Sequence, residues 1–295
     1  DRTNDASLPA CTADRTRMVM AGGYDHPAMI NVIDFVTVAS TGNAADFGDL
    51  NYTRQNMASG NSPTRSVFAN GSYSGSHNTI SYVTTQSQGD AQDFGDTTVT
   101  RSSRRACNSP TRMVIAGGGD PAFDPIDFIT FSTTGNAADF GDLSTAVSYS
   151  GGMNSSTRGV TGGGYVPSAF TNVIQYVTIQ STGNGNDFGD ISSTRQVDGA
   201  ASSPTRGVLF GGYEPSSPNS KNLIEYITIA TTGNSQDFGD LSTARYANAA
   251  CSNSTRAISA GGNTAPTFIS NIDSVTIATG GNSTNFGSIA AATIV

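Results

Sequence analysis

The chain has 295 residues, a formal net charge of −8 and one lysine, Lys221, which excludes partners held by counterion release, nucleic acid and anionic membrane alike, because these need a basic stripe. Charged residues make up only 13% while Gly, Ser, Thr and Asn abound, which predicts many short strands, tight turns and nearly no helix. No apolar run approaches the roughly 18 residues of a membrane span, so a soluble chain without membrane insertion is expected.

The sequence opens at Asp1 with no initiator Met and no signal peptide, which implies processing, trimming or incomplete observation. Six repeats then follow, with approximate bounds 6–50, 51–97, 98–143, 144–191, 192–241 and 242–289, leaving 290–295 at a closing seam where the termini should meet. Each repeat reads as four short strands. Strand A is a small-residue run, within Ala6 to Thr12 in the first copy and from Tyr246 to Cys251 in the last. A Thr-Arg landmark comes next, at Arg17, Arg65, Arg112, Arg158, Arg206 and Arg256. Strand B, such as Met113 to Ala116, leads into two small residues: Gly22–Gly23, Asn70–Gly71, Gly117–Gly118, Gly163–Gly164, Gly211–Gly212 and Gly261–Gly262.

Strand C carries an Ile at 33, 80, 126, 174, 224 and 272, and two residues on, on the same face, Phe35, Tyr82, Phe128, Tyr176 and Tyr226, with Ser274 in the last copy. Runs such as Val32 to Val38 and Leu223 to Ile229 predict burial on both faces. Strand D carries the Phe of Asp-Phe-Gly-Asp or a close variant, at Phe47, Phe94, Phe140, Phe188, Phe238 and Phe286, with steps of 47, 46, 48, 50 and 48 residues. A closed stack of such sheets buries every face, so the expected fold is a single all-β, six-bladed propeller of four-stranded antiparallel blades over 1–295.

Spacing separates construction from variation. The strand-C position precedes the Phe by 12 residues in all six copies, and the Phe precedes the next arginine by 18 in all five junctions, while the distance from glycine pair to strand C runs from 10 to 14. A residue present once per blade is read as blade construction, which covers the arginines, the phenylalanines and the aspartates at 46, 49 and their equivalents, expected to cap turns or to pair with the arginines. The alternative is calcium held in the Thr-Gly-Asn-x-x-Asp loops, against which stands their lack of dense oxygen-ligand spacing. Cys11, Cys107 and Cys251 fall at one strand-A site in three blades, which predicts small buried residues and no disulfide.

The glycine pair, aromatic strand, later aromatic and arginine entering the next strand A resemble the kelch repeat, six times over, although Phe stands where that family usually has Trp. The phrase Thr-Gly-Asn-x-x-Asp-Phe-Gly-Asp-Leu, with Ser-Pro-Thr-Arg and Gly-Gly-Tyr, resembles kelch-like propellers in tail, fibre and other virion proteins of marine bacteriophages, cyanophages included. This resemblance implies a virion or extracellular surface component, with other virion or surface proteins and host glycans as partners and with homo-oligomer or fibre assembly open.

The variable B–C loops are the expected recognition surface. They carry Tyr24, Asp25 and His26; Tyr73 and His77; Asp120, Phe123 and Asp124; Tyr165 and Phe170; Tyr213, Glu214 and Lys221; and Phe268. Aromatics beside Asp, Asn and Ser suit sugar rings and hydroxyls; the competing reading folds each ring over its own glycine pair. No cofactor and no enzyme activity are expected. His26 and His77 on neighbouring blades leave a copper-oxidase alternative, and a peptide-binding adaptor is another. Glu214 and Glu225 are the sole glutamates, too few outside the repeat for a glycosidase pair.

Overall fold

A computed structural model describes residues 2–3, 6–102, 105–119, 121–216, 218–264 and 266–289. The fold is an all-β, six-bladed β-propeller, with six four-stranded antiparallel sheets in simple sequential order and no helix among the described residues. The expected seam at 290–295 lies outside the described residues.

The chain divides into two compact units, Asp1–Asp120 with Pro125–Gly141, and Pro121–Asp124 with Asp142–Val295. The first carries three blades: β1 Ala10–Ala13, β2 Arg17–Asp25, β3 Ala28–Thr37 and β4 Ala45–Asp49; β5 Ala58–Asn61, β6 Arg65–Ala69, β7 His77–Thr84 and β8 Gln92–Arg101; β9 Ala106–Asn108, β10 Arg112–Ala116, β11 Pro125–Thr130 and β12 Ala138–Asp142. The second carries three more: β13 Gly151–Asn154, β14 Arg158–Val166, β15 Ala169–Thr178 and β16 Asn186–Asp190; β17 Gly199–Ser202, β18 Arg206–Phe210, β19 Lys221–Thr228 and β20 Gln236–Arg245; β21 Ala249–Ser252, β22 Arg256–Ala260, β23 Asn271–Thr276 and β24 Thr284–Ser288. Antiparallel order puts the B–C and D–A connections at one end of every blade and the A–B and C–D turns at the other.

Between β3 and β4, Ile33 pairs with Gly48 but Asp34 pairs with Asp46, so Phe47 is the extra residue of a bulge; the same slip recurs at Phe94, Phe188, Phe238 and Phe286. A bulge re-aims a side chain. Here it turns the Phe inward, and Phe47, Phe94, Phe140, Phe188 and Phe238 are only 2–3% exposed. Burying a ring this fully stabilises by about 1.5–3 kcal/mol. The strand-C aromatic packs edge-on against it, as Tyr82 does on Phe94 at 5.8 Å, and the Thr-Arg guanidinium lies over that aromatic, Arg65 being 4.4 Å from the Tyr82 ring. In the last blade Ser274 cannot fill the middle layer. Arg256 there leans on Phe286 itself at 5.8 Å, and Phe286 is 54% exposed.

Strand C departs from the expected apolar run. One position in each is polar and buried: Asp34, Ser81, Asp127, Gln175, Glu225 and Asp273. All but Gln175 face a second set of arginines: Arg101 and Arg245 end β8 and β20, Arg54 and Arg195 follow β4 and β16, and Arg2 precedes the first strand A. Arg101 reaches Asp127 at 2.6 Å, Arg245 reaches Asp273 at 2.5 Å, Arg195 pairs with Glu225, and Arg2 reaches Asp34 at 2.9 Å. Arg54 meets no carboxylate. Its guanidinium donates to the Asn70 and Thr79 carbonyls, the Thr79 hydroxyl and the Ser81 Oγ, and burial pushes its pKa down to about 10. In blade 4 the apolar Val147 takes the arginine's place in sequence, and the neutral Gln175 bonds Ser144 and Thr145 instead.

Of the three cysteines only Cys107 is buried; Cys11 and Cys251 are exposed. Cys11 pairs with Met20, whereas Cys107 pairs with Val114 and Cys251 with Ile258, so Thr12, opposite Val19, holds the first blade's equivalent place. A one-residue offset turns a strand side chain to the other face.

Candidate recognition surface on the B–C ends

At the C–D end the repeated residues are engaged between neighbouring blades within each unit. In the first unit the Gly89 amide donates to the Phe47 carbonyl at 2.8 Å, the Asp49 amide to Asp90 Oδ1 at 3.0 Å and the Ala91 amide to the Asp49 carbonyl at 2.8 Å. Gly135, Asn136 and Ala137 repeat the pattern on Phe94 and Asp96. In the second unit Gly233, Asn234 and Ser235 repeat it on Phe188 and Asp190, and Gly281, Asn282 and Ser283 on Phe238 and Asp240. The approach is so close that a Cβ on Gly48 would lie 2.6 Å from the Gly89 backbone, and Gly48 already has φ +145°. Only glycine fits there.

The expected pairing of the signature aspartates with the Thr-Arg arginines is not what the structure shows. Those arginines donate instead to the carbonyl of the residue just past strand C one blade on, Arg17 to Thr85, Arg65 to Phe131, Arg158 to Ile229 and Arg206 to Ile277. A guanidinium already stacked on a ring presents its edge N–H groups to carbonyls, whereas Asp139 bonds its own turn, at the Gly141 amide. Turn capping also holds at the A–B end, where Asp14, Ser62, Ser109, Ser155, Ser203 and Asn253 each accept the amide of the Thr-Arg arginine. The calcium alternative loses its ligands in the same way, since Asp90, Asn136, Asn234 and Asn282 already bond amides across blades.

The B–C ends are not repeated. The glycine pairs follow the end of strand B as expected in blades 2, 3, 5 and 6, but in blades 1 and 4 they lie inside it, at a shift of register. Gly163 has φ +65° and a Cβ would sit 2.8 Å from the Arg195 carbonyl, while Asn70, at φ 61°, tolerates the same left-handed conformation. In blades 1 and 4 the strands run to the tip, so Tyr24, Asp25, Tyr165 and Phe170 belong to hairpin strands rather than to a loop. Tyr24 packs edge-on against the exposed His26, centroids 6.0 Å apart. Tyr73 is half exposed, and its carbonyl lies 2.9 Å from His77 Nε2. Asp120 lies outside the described residues. Phe123 and the exposed Asp124 belong to the second unit, where their carbonyls accept the Val147 and Leu143 amides.

In the second unit the candidates come together. Tyr165 contacts Phe170 (5.3 Å between centroids), Phe170 contacts Tyr213 (5.7 Å) and Tyr213 contacts Tyr246 (5.1 Å). Beside them Lys221 Nζ lies 2.8 Å from Glu214, a bond that holds the Glu214 carboxyl below its ordinary value, and Asn219 donates to the Tyr213 hydroxyl at 3.1 Å. Phe268, 46% exposed, lies in the neighbouring loop, bridged to Asn263. No family model matches the chain, and no curated protein matches it.

Sequence reasoning missed Tyr246, which stands in the D–A connection rather than in strand A. The signal was its oddity: Gln55, Ser148 and Gln196 hold the equivalent place and make the same backbone bridge to the B–C side. Among the described residues no three His, Cys, Asp or Glu side chains gather where a metal ion could be held, so His26 and His77 have no third ligand of that kind there. Among the described residues no helix is long and apolar enough to cross a membrane.

Proposed function

We propose that this chain is a non-enzymatic binding and structural module of a virion appendage or another extracellular surface, meeting a host glycan or a surface protein through its B–C ends. One observation carries the reading: the repeated residues are engaged in joints between blades, and the side chains that differ from blade to blade collect at the B–C ends. Rigid scaffolds with variable loops serve recognition. The kelch-like and phage-like phrasing of the repeat supports the virion setting, and the net charge of −8 with a single lysine supports a partner other than nucleic acid.

The test is binding of the full chain to host cells, to a glycan array and to surface-protein extracts, repeated with Tyr24→Ala, Tyr73→Ala and Tyr213→Ala combined. Loss of binding in the triple variant, with an unchanged melting temperature, is the expected result. Undiminished binding, or binding to no host surface by the parent chain, would overturn the reading. Stoichiometric copper in the purified protein would revive the oxidase alternative.

A further inference from the structure

We infer that the row of rings in the second unit is a subsite for a neutral oligosaccharide lying across the B–C ends of blades 4 to 6, an inference that rests on the recognition role proposed above. Tyr165, Phe170, Tyr213 and Tyr246 come from three separate stretches of chain: the β14–β15 hairpin, the connection between β18 and β19, and the D–A connection after β20. Three successive contacts of 5.1–5.7 Å make them one strip, and each ring remains partly open to solvent.

Blade construction does not require these rings. The residue after the glycine pair is Tyr24, Tyr165 or Tyr213 in blades 1, 4 and 5 but Ser72 in blade 2 and Asn263 in blade 6, and the isolated backbone bridge is the same in all five. Tyr246 stands where the other blades place Gln or Ser. A ring needed to cover its own glycine pair would recur with every pair, and blades 2 and 6 keep the pair and the bridge without it.

The chemistry beside the strip selects the ligand class. Partly open rings offer faces to the C–H side of a pyranose, and each centroid step is comparable to the advance of one sugar along a chain. The Tyr213 hydroxyl, Asn219 and the Glu214–Lys221 pair supply donors and acceptors for sugar hydroxyls at one flank. That ion pair is internally balanced, and the chain's excess negative charge disfavours sialylated, sulfated or phosphorylated sugars.

The experiment is equilibrium titration of the full chain with neutral oligosaccharides of three to five sugars, chosen from an array that also displays sialylated and sulfated glycans. We expect Tyr246→Gln to weaken binding several-fold and Tyr213→Ala at least tenfold, Tyr213→Phe to weaken it far less than Tyr213→Ala because the ring remains, and Phe286→Ala, far from these loops in sequence and on strand D, to leave it unchanged. Melting temperatures check folding, and Tyr246→Gln guards against misfolding because Gln already stands there in two other blades. Affinity unmoved by Tyr246→Gln and Tyr213→Ala, or binding confined to charged glycans, would overturn the inference. Glycan binding that depends on Tyr24 and Tyr73 instead, or a protein partner held at the B–C ends with no glycan bound, would overturn it while leaving the broader reading intact; no partner of any kind would overturn both.

Discussion

The two ends of each blade solve opposite problems. At the C–D end, four joints within the two units repeat three backbone-centred hydrogen bonds with distances agreeing within a few tenths of an ångström. At the B–C end, equivalent positions hold Tyr, Ser or Asn over the same backbone bridge. The contrast teaches that backbone contacts fix the geometry at both ends, and that side chains are constrained only where a bulge or a close approach needs them.

The comparison can be broken most strongly at the bulged rings. Phe94→Ala should cost about 3–5 kcal/mol in chemical denaturation, whereas Phe286→Ala, on an exposed ring without an aromatic neighbour on strand C, should cost under about 1 kcal/mol. Equal losses would show that the bulge, not the packing, dominates. Next come two glycines of nearly equal φ, Gly48 at +145° and Gly75 at +146°. Gly48→Ala drives a Cβ into the Gly89 backbone, while Gly75 has open space around it, so we expect a loss of about 3 kcal/mol against about 1 kcal/mol from backbone strain alone.

The buried charges sharpen the contrast further. Burial pushes the Glu225 carboxyl up, but the Arg195 guanidinium, Ser235 and the Ser192 amide outweigh it and hold the group below its ordinary 4.5. Its stabilising contribution is therefore complete above pH 4.5 and lost as pH falls through the lower folded value. Denaturation against pH should show this acid loss, and Glu225→Gln should flatten it. Arg54 runs the other way. Its folded value of about 10 lies well below the ordinary guanidinium value, so the unfolded chain binds more protons between those values and the cost of burying the cation falls as pH rises across that window. Ser81→Asp would place a carboxylate where blades 1, 3, 5 and 6 have one, and should stabilise by about 1 kcal/mol at pH 7 while removing that alkaline gain. The smallest effect belongs to the B–C end: Tyr246→Gln should change stability by no more than about 0.5 kcal/mol, even as it weakens ligand binding.

Much of this architecture was legible in the sequence, because a repeat writes its own alignment. The period placed Phe47 and its equivalents on strand D, and the glycine pairs at the end of strand B in four of the six blades, before any coordinates; in blades 1 and 4 the strand runs on through the pair. What stayed hidden was which charges meet. Arg54, Arg101, Arg195 and Arg245 each follow a signature Phe by seven residues, yet the carboxylates that Arg101, Arg195 and Arg245 meet lie on a strand C some 26 to 30 residues further along. The Thr-Arg set drew attention because it is complete, while the buried set is broken by Val147. Tyr246 was hidden for a related reason: its ring partners belong to two other stretches of chain, and no spacing rule links a D–A connection to its neighbours' hairpins.

The joint at Phe-Gly-Asp has a genetic consequence. Because it is made almost wholly of peptide groups, plus one Asn or Asp and a glycine, any repeat carrying those few residues can form this joint with any other. Unequal crossing-over between repeats would then shuffle binding tips among blades without renegotiating this joint, provided the buried arginine of one repeat still meets a polar strand-C partner in the next, and a lineage could change its target by trading cassettes rather than by accumulating point mutations.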